Sequence, residues 1–270
     1  MKLHFAHNQY LMSKKLSRYS MVGKIASKIL GSTNIGQFAR ANIFKKLIRS
    51  LPYHSFNRIL DLGCGQGEYA FMMAGALKQA NITALDVEPE RLNSIDKIID
   101  NHNIKNLSTH LGSCDTLPEE SKFDFIYSID VFEHIEENKM PFKEAYDLLV
   151  TGGRLLVKMP SKIQKTVLPE RWFSDHHQWL DDEHIGQVYM LEDLKQRMHK
   201  EGFLIERAFY TDGRISRLSW ELGYLSRKAG VILQILMLPF LKGLIVIDRL
   251  VFNNQTGNSI QIIGKKPEHA

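Results

Sequence analysis

The residues able to do chemistry fall into three groups. The first is Asp61-Leu62-Gly63-Cys64-Gly65-Gln66-Gly67, which follows the apolar run Arg58-Ile59-Leu60 and leads into Glu68-Tyr69-Ala70-Phe71-Met72-Met73-Ala74. The apolar spacing after the glycines is helical, so the segment reads as strand, glycine turn and helix. Glycines 63, 65 and 67 permit positive φ and a close approach of backbone to a ligand, and the start of the helix offers free N–H groups. The second group is Asp86, at the end of the strand-like run Asn81–Glu88, with Val87 beside it. An acid about twenty residues beyond such glycines can accept hydrogen bonds from both hydroxyls of a ribose, with Glu88 as the second choice. The third is Asp130, Glu133 and His134, which leave the end of the apolar run Phe123–Ile129 and are joined later by His176, His177 and His184. A histidine or carboxylate within hydrogen-bond reach of a hydroxyl can take its proton as a new bond forms.

The elements that must position these groups alternate along the chain. After the first three strands (Arg58 onward, Asn81–Glu88 and Leu107–Gly112), Phe123–Ile129 forms a fourth. Helix over Phe142–Val150 is broken by Gly152-Gly153, and Arg154–Pro160 is a fifth strand. Helix Leu191–Gly202 precedes strands Phe203–Tyr210 and Ser259–Gly264. This alternation implies a seven-stranded, mostly parallel, doubly wound α/β sheet covered on both faces.

The acid followed by GxGxG resembles the nucleotide-binding loop of class I S-adenosylmethionine-dependent methyltransferases, and the likeness runs through residues 58–211 and 257–267. A strand ending in a Glu-His pair, then helix, Gly-Gly and an apolar strand ending at Pro160, continues it. The resemblance implies a Rossmann-like enzyme of the small-molecule or lipid acceptor type that uses S-adenosyl-L-methionine. Asp61 would then neutralise the cofactor's ammonium and Asp86 would hold its ribose. The cofactor-binding set is Asp61, Gly63, Cys64, Gly65, Gly67, Asp86, Val87, Ser113, Cys114, Asp115 and Ser128. The position at which relatives often carry an adenine-contacting Asp falls on Ser113, with Asp115 two residues on, so the choice between them stays open. His134 is the first candidate for a base, with Asp130 and Glu133 beside it. No resident metal is expected. The same three residues also resemble the ExxEH…H metal site of small-RNA 2′-O-methyltransferases, with Asp in place of the first Glu.

At 270 residues and 44% hydrophobic content the chain can bury a full core. Its two cysteines, Cys64 and Cys114, make neither a disulfide framework nor a metal quartet, which fits a reducing compartment. No signal peptide is read, and a cytoplasmic location follows, peripheral on the inner face of the cell membrane. The net charge of +5 is uneven: residues 1–58 hold eleven Lys or Arg and no acid, leaving −6 for the remainder. Residues 1–57 are expected to form a basic helical cap, with a methyltransferase domain over 58–270. Two stretches exceed that fold, an aromatic and histidine-rich lid over 161–189 and an insertion over 212–256. Both leave carboxyl ends of strands, so both belong on the acceptor's side of the sheet. The insertion's 229–252 is nearly all apolar but interrupted, short of an uninterrupted span. It reads as helix-Pro239-helix lying in a membrane interface, with Arg214, Arg217, Arg227 and Lys228 ahead of it as contacts for anionic lipid. The expected reaction is O-methylation of a lipid, quinone or lipid-linked precursor at a membrane surface. The alternatives are a soluble small-molecule methyltransferase that forms a homodimer through 229–252, or a metal-dependent RNA enzyme. Nucleic acid is the less favoured partner.

Overall fold

The computed structural model describes residues 32, 34–174, 186, 188–251 and 255–268. The basic leader before residue 32 and histidines 176, 177 and 184 lie outside the described residues.

The first described helix, α1 (Ile35–Arg49), is capped by Asn34, whose side chain accepts from the Gln37 N–H at 3.2 Å. The strands are β1 (Arg58–Leu62), β2 (Asn81–Asp86), β3 (Leu107–Leu111), β4 (Phe123–Ile129), β5 (Leu149–Pro160), β6 (Leu204–Thr211) and β7 (Ser259–Lys265). Their order is β3-β2-β1-β4-β5-β7-β6, with β7 antiparallel to both its neighbours. The central strands are buried on both faces and read as continuous apolar runs, as parallel strands between helical layers must.

Helices cover the two faces. On one, α1, α2 (Glu68–Ala76) and α3 (Pro89–His102) bury Phe44, Ile48, Met72 and Ile95 against Ile59, Phe125 and Tyr127. On the other, α4 (Phe142–Leu148) and α5 (Leu191–Lys200) bury Phe142, Leu194 and Met198 against Leu60, Ile126 and Leu155. The insertion forms a helical hairpin, α6 (Arg214–Ala229) and α7 (Val231–Val251). Leu238, Leu241 and Ile245 of α7 pack on Ile35 and Ala39, so α1 joins the hairpin to the sheet.

Element boundaries shift by a residue or two at several ends, and three of the differences have a clear physical cause. Strand β2 stops at Asp86 rather than Glu88, because Pro89 opens α3 and Glu88 is its cap. Helix α4 ends at Leu148, and the Gly152-Gly153 pair lies inside β5, because Leu149 already pairs with Phe123 and the extra residues bulge before Phe125 meets Arg154. The hairpin turns at Gly230 (φ 136°), a conformation only glycine adopts freely, and Pro239 lies within α7. Pro239 is on the exposed side of that helix, so the Ile235 carbonyl it leaves without a donor is not sealed in the core. The hairpin closes where Asp248 accepts from the Ile215 N–H and the Ser216 hydroxyl, and where Ser219 donates to the Leu241 carbonyl.

Among the described residues no helix is long and apolar enough to cross a membrane.

Candidate cofactor and acceptor site

The strand order reverses between β1 and β4, and open α/β sheets take ligands at such a point, outside the carboxyl ends of their strands. All three glycines of the loop have positive φ there. At Gly63 a Cβ would come within 2.5 Å of Val131, so that position is closed by packing. At Gly65, φ 54°, a Cβ would meet nothing nearer than Arg91 Nη1 at 4.0 Å. Open space beside a backbone that only glycine relaxes into is what a closely approaching ligand needs.

Asp61, next to last in β1, is in register with Tyr127 of β4 and is only 2% exposed. Its Oδ2 is buried without a hydrogen-bond partner, as is the Tyr127 hydroxyl. Burial pushes the Asp61 carboxyl up to about 8, against the opposing pull of the Tyr127 hydroxyl and the Ala70 N–H. A carboxyl so placed lacks a cation, and a ligand's ammonium would supply one.

Asp86 is also buried, but its carboxylate is shared. Oδ2 accepts the Gly65 N–H at 2.8 Å, Oδ1 accepts the Glu88 N–H at 3.0 Å, and Arg91 Nη1 lies 3.7 Å away. Asp86 thus shapes the loop while keeping lone pairs for hydroxyl donors. Glu88 pairs with Arg91 at 2.7 Å. Val87 is 67% exposed on the same edge, and the Gly112 N–H donates to the Asp86 carbonyl, which brings the Ser113–Asp115 turn alongside. In that turn the exposed Ser113 hydroxyl donates to Asp115 Oδ1, so the two act as one polar unit.

The remaining sequence-derived candidates lie in different surroundings. The Ser128 hydroxyl is fully buried and donates to the Leu62 carbonyl at 3.0 Å, tying β4 to β1 beneath the loop rather than facing the cleft. The thiols of Cys64 and Cys114 both pack into the cores, where burial raises their pKa, so only their backbones border the site. Asp130 is held at positive φ, 54°, by its N–H to the Lys158 carbonyl. Its Oδ1 pairs with Lys158 Nζ and its Oδ2 lies 3.4 Å from Arg40 Nη1. Burial would raise this carboxyl, but Lys158 and Arg40 outweigh burial and keep it below its ordinary value. Asp130 is therefore a fixed anion bridging two cations and a poor base. Glu133 is 1% exposed, with Oε2 unpartnered, and burial beside Asp130 pushes it up to about 8. It does not reach solvent. His134 is exposed at the end of the same turn, and it alone of the three could exchange protons with an incoming acceptor.

Sequence reasoning missed Arg40, Lys158, Tyr127 and Gln37. Arg40 belongs to the basic 1–57 segment, yet α1 brings it to Asp130, and Gln37 Nε2 donates to Glu68 Oε1 at 2.6 Å. Among the described residues no three His, Cys, Asp or Glu side chains converge on a metal position.

A doubly wound sheet with an acid and glycine loop at its switch point, and with an antiparallel seventh strand, defines a Rossmann-like methyltransferase domain. The family model described as "Methyltransferase domain" matches residues 54–211, and the chain belongs to that family. It is 25% identical to a ubiquinone biosynthesis O-methyltransferase of Chelativorans sp., over 59% of this chain and 59% of that protein. It is 26% identical to a trans-aconitate 2-methyltransferase of Methylobacterium radiotolerans, over 44% of each. The solved structure of coclaurine N-methyltransferase bound to N-methylheliamine and SAH superposes with a TM-score of 0.58 at 15% identity, covering 84% of this chain and 72% of that one. The chain spans between 28% and 59% of the length of the first curated relatives it matches. S-adenosylmethionine is the cofactor of this class.

Proposed function

We propose that the protein is an S-adenosylmethionine-dependent O-methyltransferase acting on a lipid, quinone or lipid-linked precursor at an anionic membrane surface. The cofactor supplies a methyl group on a sulfonium, and the protein aligns the acceptor in line with it and excludes water. Asp61 Oδ2 takes the ammonium, Asp86 the ribose hydroxyls, and Val87 with Ser113 and Asp115 flank the adenine. The Asp130–Lys158–Arg40 cluster fixes the turn that presents His134, which accepts the hydroxyl proton. Helix α1 borders the same edge, where Gln37 bonds Glu68 and Arg40 pairs with Asp130.

The observation that carries the membrane reading is the outer face of α7. Ile232, Leu236 and Leu250 are 78%, 71% and 72% exposed, and with Phe240 and Ile247 they follow one helical stripe opposite the buried Leu238, Leu241 and Ile245. Such a stripe on an exposed helix marks a surface meant for an apolar neighbour. Arg227 and Lys228, at the end of α6, place cations beside it for anionic head groups. Flotation with phosphatidylcholine vesicles, with and without phosphatidylglycerol, tests the reading. Wild type should float with the anionic vesicles, and Leu236→Asp with Ile232→Asp should remain at the bottom. A protein that never floats and runs as a monodisperse dimer, broken by the same substitutions, would assign the stripe to a second copy of the chain.

A further inference from the structure

A small cleft of about 50 Å³ opens at the carboxyl ends of β5 and β6, against the start of β7. Ser161, Lys165, Met190, Tyr210, Arg217 and Asn258 are among the residues that line it. It lies on the acceptor's edge of the sheet but apart from the glycine loop: Ser161 is three residues beyond Lys158, about 10 Å along the chain at strand spacing.

Two polar groups in this cavity are left over by the fold. The Ser161 side chain is 2% exposed and its hydroxyl is buried without a hydrogen-bond partner. Arg217 Nε is likewise buried without one, and among the described residues Arg217 makes no ion pair within 4.0 Å. The reason is visible in Glu221 and Asp248, whose charges act on it. Glu221 spends both carboxylate oxygens on the Val167 and Leu168 N–H groups, each at 2.8 Å. Asp248 accepts from the Ile215 N–H at 3.2 Å and the Ser216 hydroxyl at 2.8 Å. The guanidinium therefore lies near negative charge whose lone pairs are already directed elsewhere, while its Nε stays without a partner.

The floor is rigid. Gln164 Nε2 donates to the Ser161 and Asn258 carbonyls at 2.6 and 2.8 Å, and the Asn258 side chain bonds the Lys165 N–H and carbonyl at 3.0 and 2.9 Å. This clamp carries Lys165 to the rim. Arg217, Ser161 and Lys165 line one cleft, and a guanidinium, a hydroxyl and an ammonium are together the donors that a phosphate or carboxylate takes in charge-assisted hydrogen bonds.

We propose that Ser161, Lys165 and Arg217 form an oxyanion subsite that grips an anionic group of the methyl acceptor and so selects acceptors carrying a phosphate or carboxylate. The assignment rests on the reading that this edge receives the acceptor of a methyl transfer. It does not need the membrane, because the anion can belong to a lipid head group or to a free molecule.

The test uses the full-length protein with S-adenosylhomocysteine present. Calorimetric titration with glycerol 3-phosphate measures the free anion, and flotation with phosphatidylcholine vesicles containing phosphatidic acid measures the lipid-borne one. Arg217→Gln should weaken glycerol 3-phosphate binding at least tenfold and Ser161→Ala several-fold, with S-adenosylhomocysteine affinity unchanged as the control for folding. If only phosphatidic acid vesicles separate wild type from Arg217→Gln, the anion is a lipid head group. If glycerol 3-phosphate binds in an Arg217-dependent way while no vesicle recruits the protein, the subsite stands and the membrane reading falls. Equal behaviour of wild type and Arg217→Gln towards both probes overturns the subsite.

Discussion

Replacing Asp61 by Asn keeps the shape of the side chain and removes the charge that a cofactor ammonium needs. With its pKa at about 8, Asp61 is protonated in about ten of every eleven ligand-free molecules at pH 7, and an ammonium pairs only with the ionised form. Binding should therefore release close to one proton at pH 7. Ionising the site costs RT ln(1 + 10^(8−pH)), about 2.7 kcal/mol at pH 6 and about 1.4 kcal/mol at pH 7. The Kd of wild type for S-adenosylhomocysteine should accordingly tighten about ninefold from pH 6 to pH 7. Calorimetry in two buffers of different ionisation enthalpy measures both the affinity and the proton. In Asp61→Asn the pH dependence should vanish and the affinity should fall by about 2–5 kcal/mol, roughly thirtyfold to several-thousandfold. The same burial has the opposite effect on stability. Because the folded pKa is raised, the contribution of Asp61 is fully present below its ordinary 3.8 and is lost as pH rises towards about 8, by about 1.4 kcal/mol per pH unit. Ligand-free Asp61→Asn should then melt above wild type at pH 7. A flat wild-type pH profile, or a variant that binds as tightly as wild type, would refute the assignment of Asp61 to the ammonium.

Gly65→Val forces a β-branched residue to φ 54° and projects it into the open side of the loop; about 1–2 kcal/mol of stability should be lost, and cofactor binding should disappear in a folded protein, as followed by circular dichroism and calorimetry. Asp130→Asn strips Lys158, a side chain only 6% exposed, of its partner; a buried cation left alone should lower unfolding stability in urea by about 3–5 kcal/mol. In wild type the lowered pKa of Asp130 means that this stability is present above 3.8 and is lost as pH falls through the folded value, so acid titration should unfold wild type at lower pH than it would a protein whose Asp130 kept its ordinary pKa. His134→Ala should lower turnover while leaving S-adenosylhomocysteine affinity unchanged, and equal turnover with a hydroxyl acceptor would remove it as the base.

The strand, glycine turn and helix at 58–76 were legible because each level agreed: an apolar run, an acid, glycines where φ must be positive, and a helical apolar face, all within twenty residues. The seven-stranded, mostly parallel sheet followed from alternation, whereas the order of its strands is set by the fold. Boundaries failed where competition was non-local. Leu149 leaves the helix because Phe123 is across from it, and the hairpin turns at Gly230 rather than Pro239 because Asp248 has to return to Ser216.

What the chain's order determined is therefore the local chemistry, namely which residues can turn, which can accept, and which face of each element is apolar. What only the tertiary structure decided is who meets whom. Arg40 looks like one more cation on a basic leader, and nothing within its own helix marks it, yet it reaches Asp130 ninety residues away through the packing of α1 on the sheet. Lys158 and Arg217 are equally plain in sequence. The first is neutralised because β5 lies beside β4, and the second is left with an open donor because Glu221 and Asp248 are consumed by backbone and hydroxyl donors brought to them by other segments. Whether a charge is satisfied depends on what else shares its low-dielectric surroundings, and the fold alone fixes that company.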